Sequence, residues 1–335
     1  MNIVELEHVN FAYGKSIILK DISLKLQKGK VIGILGESGV GKTTLLSLIV
    51  GLLKPSKGRV ILNVPEKKIG FSFQTPSFFD ELTVEENITY FARLYGLDKN
   101  QIEKTKTFLL GFLELNDHAK KLAKELSGGM KKRLDVILSL VNDPHLIILD
   151  EPVGELDPFL REKVNELISI YRKRGATIIL TSHYLSDLMD ICEEFIILKD
   201  KTVIFSGTFD NLLSQLNVNY KTQIVLENER DVELFKTIFR YNEALSIRNK
   251  VIFLHKDKPL FYKLLLHFIK KNKIKIKEIK VTSPDLRDLF LDLVSKRDTN
   301  QKETRSENEN QINQTNQTKA KKTILGKKTN SEKEP

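Results

Sequence analysis

Over residues 1 to about 212, short uninterrupted apolar runs alternate with longer stretches of helical periodicity. The apolar runs lack the polar alternation of a half-exposed strand, which is typical of parallel strands buried on both faces. These predicted strands cover residues 31–36, 147–149, 177–182 and 195–198. An amphipathic pattern over residues 161–174, ending at Gly175, predicts one of the intervening helices. The alternation favours an α/β fold with a mostly parallel sheet.

A different pattern begins after residues 217–219. Strand and helix signals follow there in the order strand, helix, strand, strand, helix, strand, which is the order of a small ferredoxin-like α+β unit. Within residues 274–281 the isoleucines alternate with Lys275 and Lys277, so we expect a strand with one buried face and one basic face. A final helical pattern, PDLRDLFLDLVSK, has Pro284 in its first turn.

The last residues, 297–335, consist mainly of Asn, Gln, Thr, Lys and Glu with almost no apolar side chains. Such a segment cannot bury enough surface to offset its chain entropy, so we expect it to be disordered. The sequence therefore predicts a domain of residues 1–216 with a helical subdomain at about 76–140, an accessory domain of residues 220–296, and a polar tail.

Composition narrows the setting in which the chain works. It has 335 residues, of which 41% are hydrophobic and 29% charged, as is ordinary for a protein with a packed core. The formal net charge of +10 points to anionic partners: phosphates, nucleic acid or an anionic membrane surface. The single cysteine, Cys192, indicates a reducing, cytoplasmic setting and a small buried hydrophobe. No window approaches the ~20 apolar residues of a membrane-spanning helix, and the N-terminus has no secretory pattern.

The string GESGVGKT at residues 36–43 follows a predicted strand and precedes a helical pattern, which is the context of a phosphate-binding P-loop. Its glycines let backbone N–H groups surround phosphate oxygens at a helix N-terminus. Lys42 would reach the β- and γ-phosphates of a nucleotide, and Thr43 would place its hydroxyl on Mg²⁺. The candidate ATP-binding residues are Gly36, Glu37, Ser38, Gly39, Val40, Gly41, Lys42, Thr43 and Thr44.

A second candidate lies in HLIILDEP at residues 145–152. Four apolar residues predict a buried strand, and Asp150 and Glu151 follow at its C-terminal end, where open α/β sheets bind ligands. Asp150 can hold a hydrated Mg²⁺, and Glu151 can polarise an attacking water. Their position about a hundred residues after the P-loop makes a nucleoside triphosphatase the favoured interpretation.

Between these two motifs stands LSGGM, residues 126–130, followed by a helical pattern. This string resembles the signature of ABC (ATP-binding cassette) ATPases. The resemblance implies an ABC cassette fold, and it implies that Ser127, Gly128 and Gly129 contact the ATP bound by a second subunit. Two departures from the family pattern stand out: Met130 replaces the usual glutamine, and Glu155 occupies a position often held by glycine. Neither removes a catalytic group.

Further landmarks of the ABC family occur in order over about 210 residues. The resemblance implies that Tyr13 stacks on adenine and that Gln74 touches Mg²⁺ near the interface with a membrane subunit. It likewise implies that the loop at Asp157 crosses to the partner subunit and that His183 senses the γ-phosphate. No motif occurs twice, which indicates one nucleotide site per chain and a homodimer as the working unit.

The resemblance thus implies an ATPase with ATP and Mg²⁺ as cofactors, acting with separate membrane-spanning permease subunits at the inner face of the cell membrane. The string SPDLRDLFLDLVSK loosely resembles the end of drug- and lipid-type export ATPases, which favours export. An importer subunit and a soluble ABC ATPase acting on nucleic acid or ribosomes remain as alternatives, although nucleic acid is the weakest because neither a second cassette nor a coiled-coil insertion is present.

Overall fold

The computed structural model describes residues 1–74, 77–154, 156–183, 186–216, 220–238, 244–247, 249–256, 258–282 and 284. The chain divides into two compact units, Met1–Leu212 and Leu213–Pro335. The predicted boundary at 217–219, the helix predicted after Pro284 and the polar tail lie outside the described residues, so the three-part division stays a prediction. In the described part of the chain, no helix is long and apolar enough to cross a membrane.

The first unit begins with three strands, and strands and helices alternate from β6 to β8 as the apolar pattern predicts. The strands up to residue 207 are β1 (Asn2–Tyr13), β2 (Ser16–Gln27), β3 (Val31–Leu35), β4 (Lys57–Leu62), β5 (Ile69–Ser72), β6 (Leu146–Asp150), β7 (Thr177–Ser182), β8 (Glu194–Lys199) and β9 (Thr202–Gly207). The helices are α1 (Lys42–Ile49), α2 (Val84–Leu94), α3 (Lys99–Phe112), α4 (Gly128–Leu140), α5 (Pro158–Lys173), α6 (Ser186–Met189) and α7 (Phe209–Leu216).

The central sheet has six strands in the order β5-β6-β7-β3-β8-β9. All neighbours are parallel except β9, which runs antiparallel to β8. The sequence-predicted strands correspond to β3, β6, β7 and β8, with ends that differ by at most one residue. Because the strands are parallel, the C-terminal ends of β3, β6 and β7 meet at one edge, which is where the candidate residues lie.

A second, three-stranded antiparallel sheet has the order β2-β1-β4. Along β1, buried and more exposed residues largely alternate, as expected for a strand with one face on the core. A single apolar cluster joins this sheet to the central one and to α1, including Leu6, Ile22, Ile34 and Leu45, each at most 1% exposed. The P-loop is therefore anchored from both sheets.

Helices α2, α3 and α4 lie within the range predicted for a helical subdomain. Thr83 forms a capping box with Glu86 at the start of α2, and Asp98 forms one with Gln101 at the start of α3. Each box satisfies backbone N–H groups that a helix leaves free in its first turn. These local signals fix where the two helices begin.

The second unit contains β10 (Tyr220–Leu226), α8 (Arg230–Ile238), β11 (Ala244–Ile247), β12 (Lys250–His255), α9 (Lys258–Asn272) and β13 (Ile276–Thr282). Its sheet has the order β11-β12-β10-β13 with antiparallel neighbours. This is the α+β order that the sequence predicts. Ile224, Val251, Phe253 and Leu265, each at most 1% exposed, form its core.

The expected alternation along β13 is wrong in its second half. Ile279 and Val281 are 44% and 41% exposed. The register pairs Ile279 with Ile224 and Val281 with Thr222, and both partners are fully buried, so the two residues lie on the covered face of the sheet. They are exposed there because β13 is the last described strand of its sheet, and a neighbouring strand covers it on one side only.

Candidate functional site

The loop between β3 and α1 has a backbone that needs glycine. Gly41, which precedes α1, has a φ of 111°, a conformation that other residues rarely adopt. A Cβ on Gly36 would lie 2.7 Å from the carbonyl oxygen of Leu198, so a larger residue cannot fit there. The loop therefore curves tightly from the buried strand into the helix, as a phosphate-binding loop must. Glu37, Ser38, Gly39 and Thr43 are exposed, while Val40 and Thr44 are half-buried.

Lys42 is buried, and its ammonium lies at the centre of the site. Its Nζ donates to the carbonyl oxygens of Gly36 at 2.8 Å and Glu37 at 3.2 Å, and it lies 3.1 Å from Nδ1 of His183. Burial lowers the pKa of Lys42, and the nearby carboxylates of Glu151 and Asp150 oppose that shift. The loop carbonyls thus hold a cation beside the N-terminus of α1.

Asp150, at the end of β6, is 1% exposed and accepts hydrogen bonds from two hydroxyl groups. Thr43 Oγ1 donates to Asp150 Oδ2 at 2.5 Å, and Thr181 Oγ1 donates to Asp150 Oδ1. Carboxylate and hydroxyl oxygens are the ligand types that Mg²⁺ prefers. The residues present fit a magnesium site between the P-loop and β6.

Glu151 directly follows β6, and its carboxylate joins the same cluster. Its Oε2 lies 2.7 Å from Nε2 of His183, and its Oε1 lies 4.0 Å from Nζ of Lys42. Its backbone φ is 51°, in the left-handed region. The structure therefore brings together Lys42, Thr43, Asp150, Glu151 and His183 from three parallel strand ends, as the sequence predicts.

The other predicted residues lie at exposed ends of elements. Tyr13 ends β1, is 55% exposed and makes an edge-to-face contact with Phe11. Gln74 is exposed two residues after β5. These positions leave both side chains accessible to a partner molecule.

Ser127 and Asp157 are helix N-caps. Ser127 Oγ accepts from the N–H of Met130 at 3.4 Å, and Asp157 Oδ1 accepts from the N–H of Leu160 at 3.0 Å. Ser127 and Gly128 are exposed, and Gly129 is half-buried. The side-chain hydrogen bonds of Ser127 and Asp157 in the described part of the chain are with their own helices. Glu155 lies outside the described residues.

Two residues of the site are not among the sequence predictions. Thr181 pairs with Asp150 across β6 and β7, and its hydroxyl also accepts from the N–H of Glu151 at 3.0 Å. Lys132, in the second turn of α4, donates from Nζ to the backbone oxygen of Asp150 at 2.8 Å. The string TSH, residues 181–183 at the end of β7, is a signal that could have identified Thr181. Nothing in the sequence pattern points to Lys132.

A shallow groove of about 710 Å³ lies on the helical part of the first unit, beside α2. We call it the α2 groove; it is lined by Leu82, Glu85, Glu86, Thr89, Tyr90, Arg93, Leu94 and Lys106. Buried Asn87 shapes the adjacent loop, because it bonds both the N–H and the carbonyl of Phe79. Tyr90 and Leu94 are 46% and 65% exposed, so the groove presents apolar surface rimmed by charge.

Comparison with known proteins identifies the family. The family model described as ABC transporter matches residues 19–154. The Nod factor export ATP-binding protein I of Bradyrhizobium diazoefficiens is 27% identical over 88% of this chain and 96% of that protein. The taurine import ATP-binding protein TauB of Roseobacter denitrificans is 38% identical over 54% of this chain and 69% of that protein.

A solved structure of an ATP-binding subunit of an ABC transporter superposes with a TM-score of 0.61 and 27% identity, over 64% of this chain and 93% of that one. The expected ABC cassette fold is thereby confirmed, and so is the expectation of ATP hydrolysis. With its P-loop, the Asp150–Glu151 strand end and the signature string in one fold, the chain belongs to the family of ABC transporter ATP-binding proteins and is an ATP-hydrolysing subunit of a transporter.

Proposed function

We propose that this chain is the ATPase subunit of an exporter, that it hydrolyses Mg²⁺–ATP at a site shared by two copies of itself, and that it drives separate membrane-spanning subunits. The observation that carries the proposal is the convergence of Lys42, Glu151 and His183 at the end of the parallel sheet, within 2.7 to 4.0 Å of one another. Three groups of these types suit phosphoryl transfer, which depends on positioning and charge stabilisation.

Each group has a role in this proposal. Lys42 binds the β- and γ-phosphates, and the P-loop residues 36–44 donate backbone N–H groups to them. Thr43, Asp150 and Gln74 would hold Mg²⁺, which would neutralise phosphate charge when bound. Glu151 accepts the proton of the attacking water, and His183 holds the γ-phosphate and orients Glu151 through their 2.7 Å contact. Tyr13 offers its exposed ring to adenine.

The second copy supplies the other half of the site. Ser127 and Gly128 are exposed at the N-terminus of α4, a helix of 13 residues, and Asp157 is exposed at the N-terminus of α5. The start of a helix attracts anions because its backbone N–H groups point outward. A second copy facing the P-loop would place Ser127, Gly128 and Gly129 on the γ-phosphate, with Asp157 beside the interface.

The share of this chain that aligns with each relative favours export over import. The Nod factor export protein aligns over 88% of this chain, which takes in part of the second unit, whereas the taurine import protein aligns over 54%. Direction can be measured by comparing cells with and without the chain. If the chain serves an exporter, the cargo accumulates inside cells that lack the chain. If it serves an importer, the concentration of the cargo inside those cells falls and the cargo remains in the medium.

The α2 groove is the surface we propose for the membrane-spanning subunit. Its exposed Tyr90 and Leu94 suit an apolar segment of that subunit, while Glu85, Arg93 and Lys106 suit its polar residues. In this proposal the chain works at the cytoplasmic face of the membrane.

We expect Leu94→Glu to abolish co-purification with the membrane subunit, because a charge at the apolar part of the groove would be buried without a partner. The measurement is a pulldown of tagged protein from detergent-solubilised native membranes. Each tagged protein also carries Glu151→Gln, so that it retains ATP. Leu52→Glu, at a residue that is 60% exposed and outside the groove, is the control and should retain the partner.

In one outcome, the Leu52→Glu control recovers a protein with several membrane spans that Leu94→Glu does not recover. That result would support both the transporter proposal and the α2 groove as the binding surface. Equal recovery by both variants would exclude the groove alone. Recovery of only ribosomal or nucleic-acid-bound material would exclude the transporter subunit as partner and turn attention to the basic second unit.

A further inference from the structure

The peptide bond between Asp150 and Glu151 is held on both sides by side chains from other elements. Its carbonyl oxygen accepts a hydrogen bond of 2.8 Å from Lys132 Nζ, and its N–H donates one of 3.0 Å to Thr181 Oγ1. Asp150 is the last residue of β6 and forms the last pair with β7, at Thr181. This peptide therefore lies where the backbone ladder of the sheet ends and side chains must hold it instead.

The restraint matters because Glu151 has a backbone that L residues avoid. Its φ of 51° lies in the left-handed region, where a side chain crowds the backbone. Such a conformation persists only where its surroundings fix it. Here it directs the Glu151 carboxylate to His183, at 2.7 Å, and towards Lys42.

We propose that Lys132 is a positioning residue, which holds the Asp150–Glu151 peptide and so keeps the Glu151 carboxylate on His183. The hydrogen bond pairs an ammonium with a carbonyl in a half-buried setting, and charge-assisted bonds of this kind are stronger than neutral ones. Lys132 does not touch the reacting atoms in this proposal; it acts through the backbone of Asp150.

The same contact links the signature to the hydrolytic residue within one chain. Lys132 follows Ser127 by five residues on α4, and a helix of this length moves as a rigid body. A shift of the α4 N-terminus would therefore pull on the peptide that orients Glu151. This inference rests on the proposed role of Glu151 and on contact between the signature and the ATP of the second copy. It adds a path by which one site of the dimer senses occupancy of the other.

The test compares Lys132→Met, which keeps the length of the side chain but removes the donor, with Lys132→Arg, which keeps a charged donor. Lys131→Met, the neighbouring lysine of α4, is the matched control. We expect Lys132→Met to lower kcat for ATP hydrolysis roughly 10- to 100-fold, the loss of one hydrogen bond to a charged group, with KM for ATP and Tm close to wild type. Lys132→Arg should recover most of kcat, and Lys131→Met should match wild type.

Two outcomes would overturn the inference. Wild-type kcat in Lys132→Met would show that Glu151 is positioned without this contact. A fall in kcat that comes with a clear fall in Tm, and that arginine does not rescue, would show that Lys132 only connects α4 to β6 structurally. Glu151→Gln, measured in parallel, separates the failures: if Glu151→Gln itself still turns over, the proposed role of Glu151 is what fails.

Discussion

Glu151→Gln is expected to lower kcat for ATP hydrolysis by about 10²- to 10⁴-fold, the range that general base groups contribute. The change keeps the shape of the side chain and removes only its charge and basicity. ATP affinity should stay close to wild type, because the P-loop and Lys42 remain in place. Phosphate release in the steady state measures kcat, and titration with a fluorescent ATP analogue measures binding.

Glu166→Gln is the matched control for this variant. Glu166 lies on α5 with an exposed side chain, outside the cluster of Lys42 and His183. We expect it to turn over as wild type does. A Glu151→Gln protein that hydrolyses ATP within a factor of a few of wild type would remove Glu151 from the chemistry, whatever its contact with His183.

Lys42→Met is expected to lose both ATP binding and turnover. The ammonium is buried, held by the carbonyls of Gly36 and Glu37, and lies 3.1 Å from His183 Nδ1, so its loss removes the positive charge at the centre of the site. Removal of one donor that stabilises a transition state costs about 10²- to 10³-fold in kcat, and loss of phosphate binding adds to this in kcat/KM. Binding of the fluorescent analogue and phosphate release measure the two effects.

The pKa of Lys42 adds a prediction with a definite sign. Burial lowers that pKa, so the free protein loses this positive charge at a lower pH than an exposed lysine would. We expect kcat/KM for ATP to fall on the alkaline side, below the pH at which ordinary lysines titrate. The control Lys28→Met, at an exposed lysine, should keep both the activity and the pH profile of wild type.

For the Lys42→Met variant itself, full ATP binding would contradict the phosphate-binding role of the loop.

Much of the cassette is predictable because its strongest signals are local. β3, β6 and β7 are fully buried runs, and β8 is buried in its four middle residues. The position of the residues that follow β3, β6 and β7 then results directly from a parallel sheet. The antiparallel sheet of β1, β2 and β4 was not predicted from the sequence, although β1 largely alternates buried and more exposed positions and could have been identified. The local sequence pattern is therefore enough to predict a strand that is buried on both faces or on one face.

The features that could not be predicted depend on contacts between segments that are distant in the sequence. The hydrogen bond from Lys132 to the Asp150 backbone joins residues 18 apart, and no motif spacing encodes it. The exposure of Ile279 and Val281 follows from the place of β13 at the edge of the described sheet, which is a property of the strand order and not of the local sequence. Cys192, by contrast, is predicted from the sequence as a small buried hydrophobe. The residue is half-buried with its Sγ beside Gly33 of β3, and burial of the thiol raises its pKa well above the usual range.

The central claim is that ATP is hydrolysed at a site shared by two copies, and mixing two inactive variants tests it directly. Lys42→Met lacks a working P-loop, and Gly129→Asp lacks a working signature, so each alone should be inactive. Half of randomly formed dimers are mixed, and each mixed dimer has one intact site, so an equal mixture should recover about a quarter of wild-type ATPase activity. A mixture that stays as inactive as its components would contradict the shared site, since a site built within one chain is damaged in every copy.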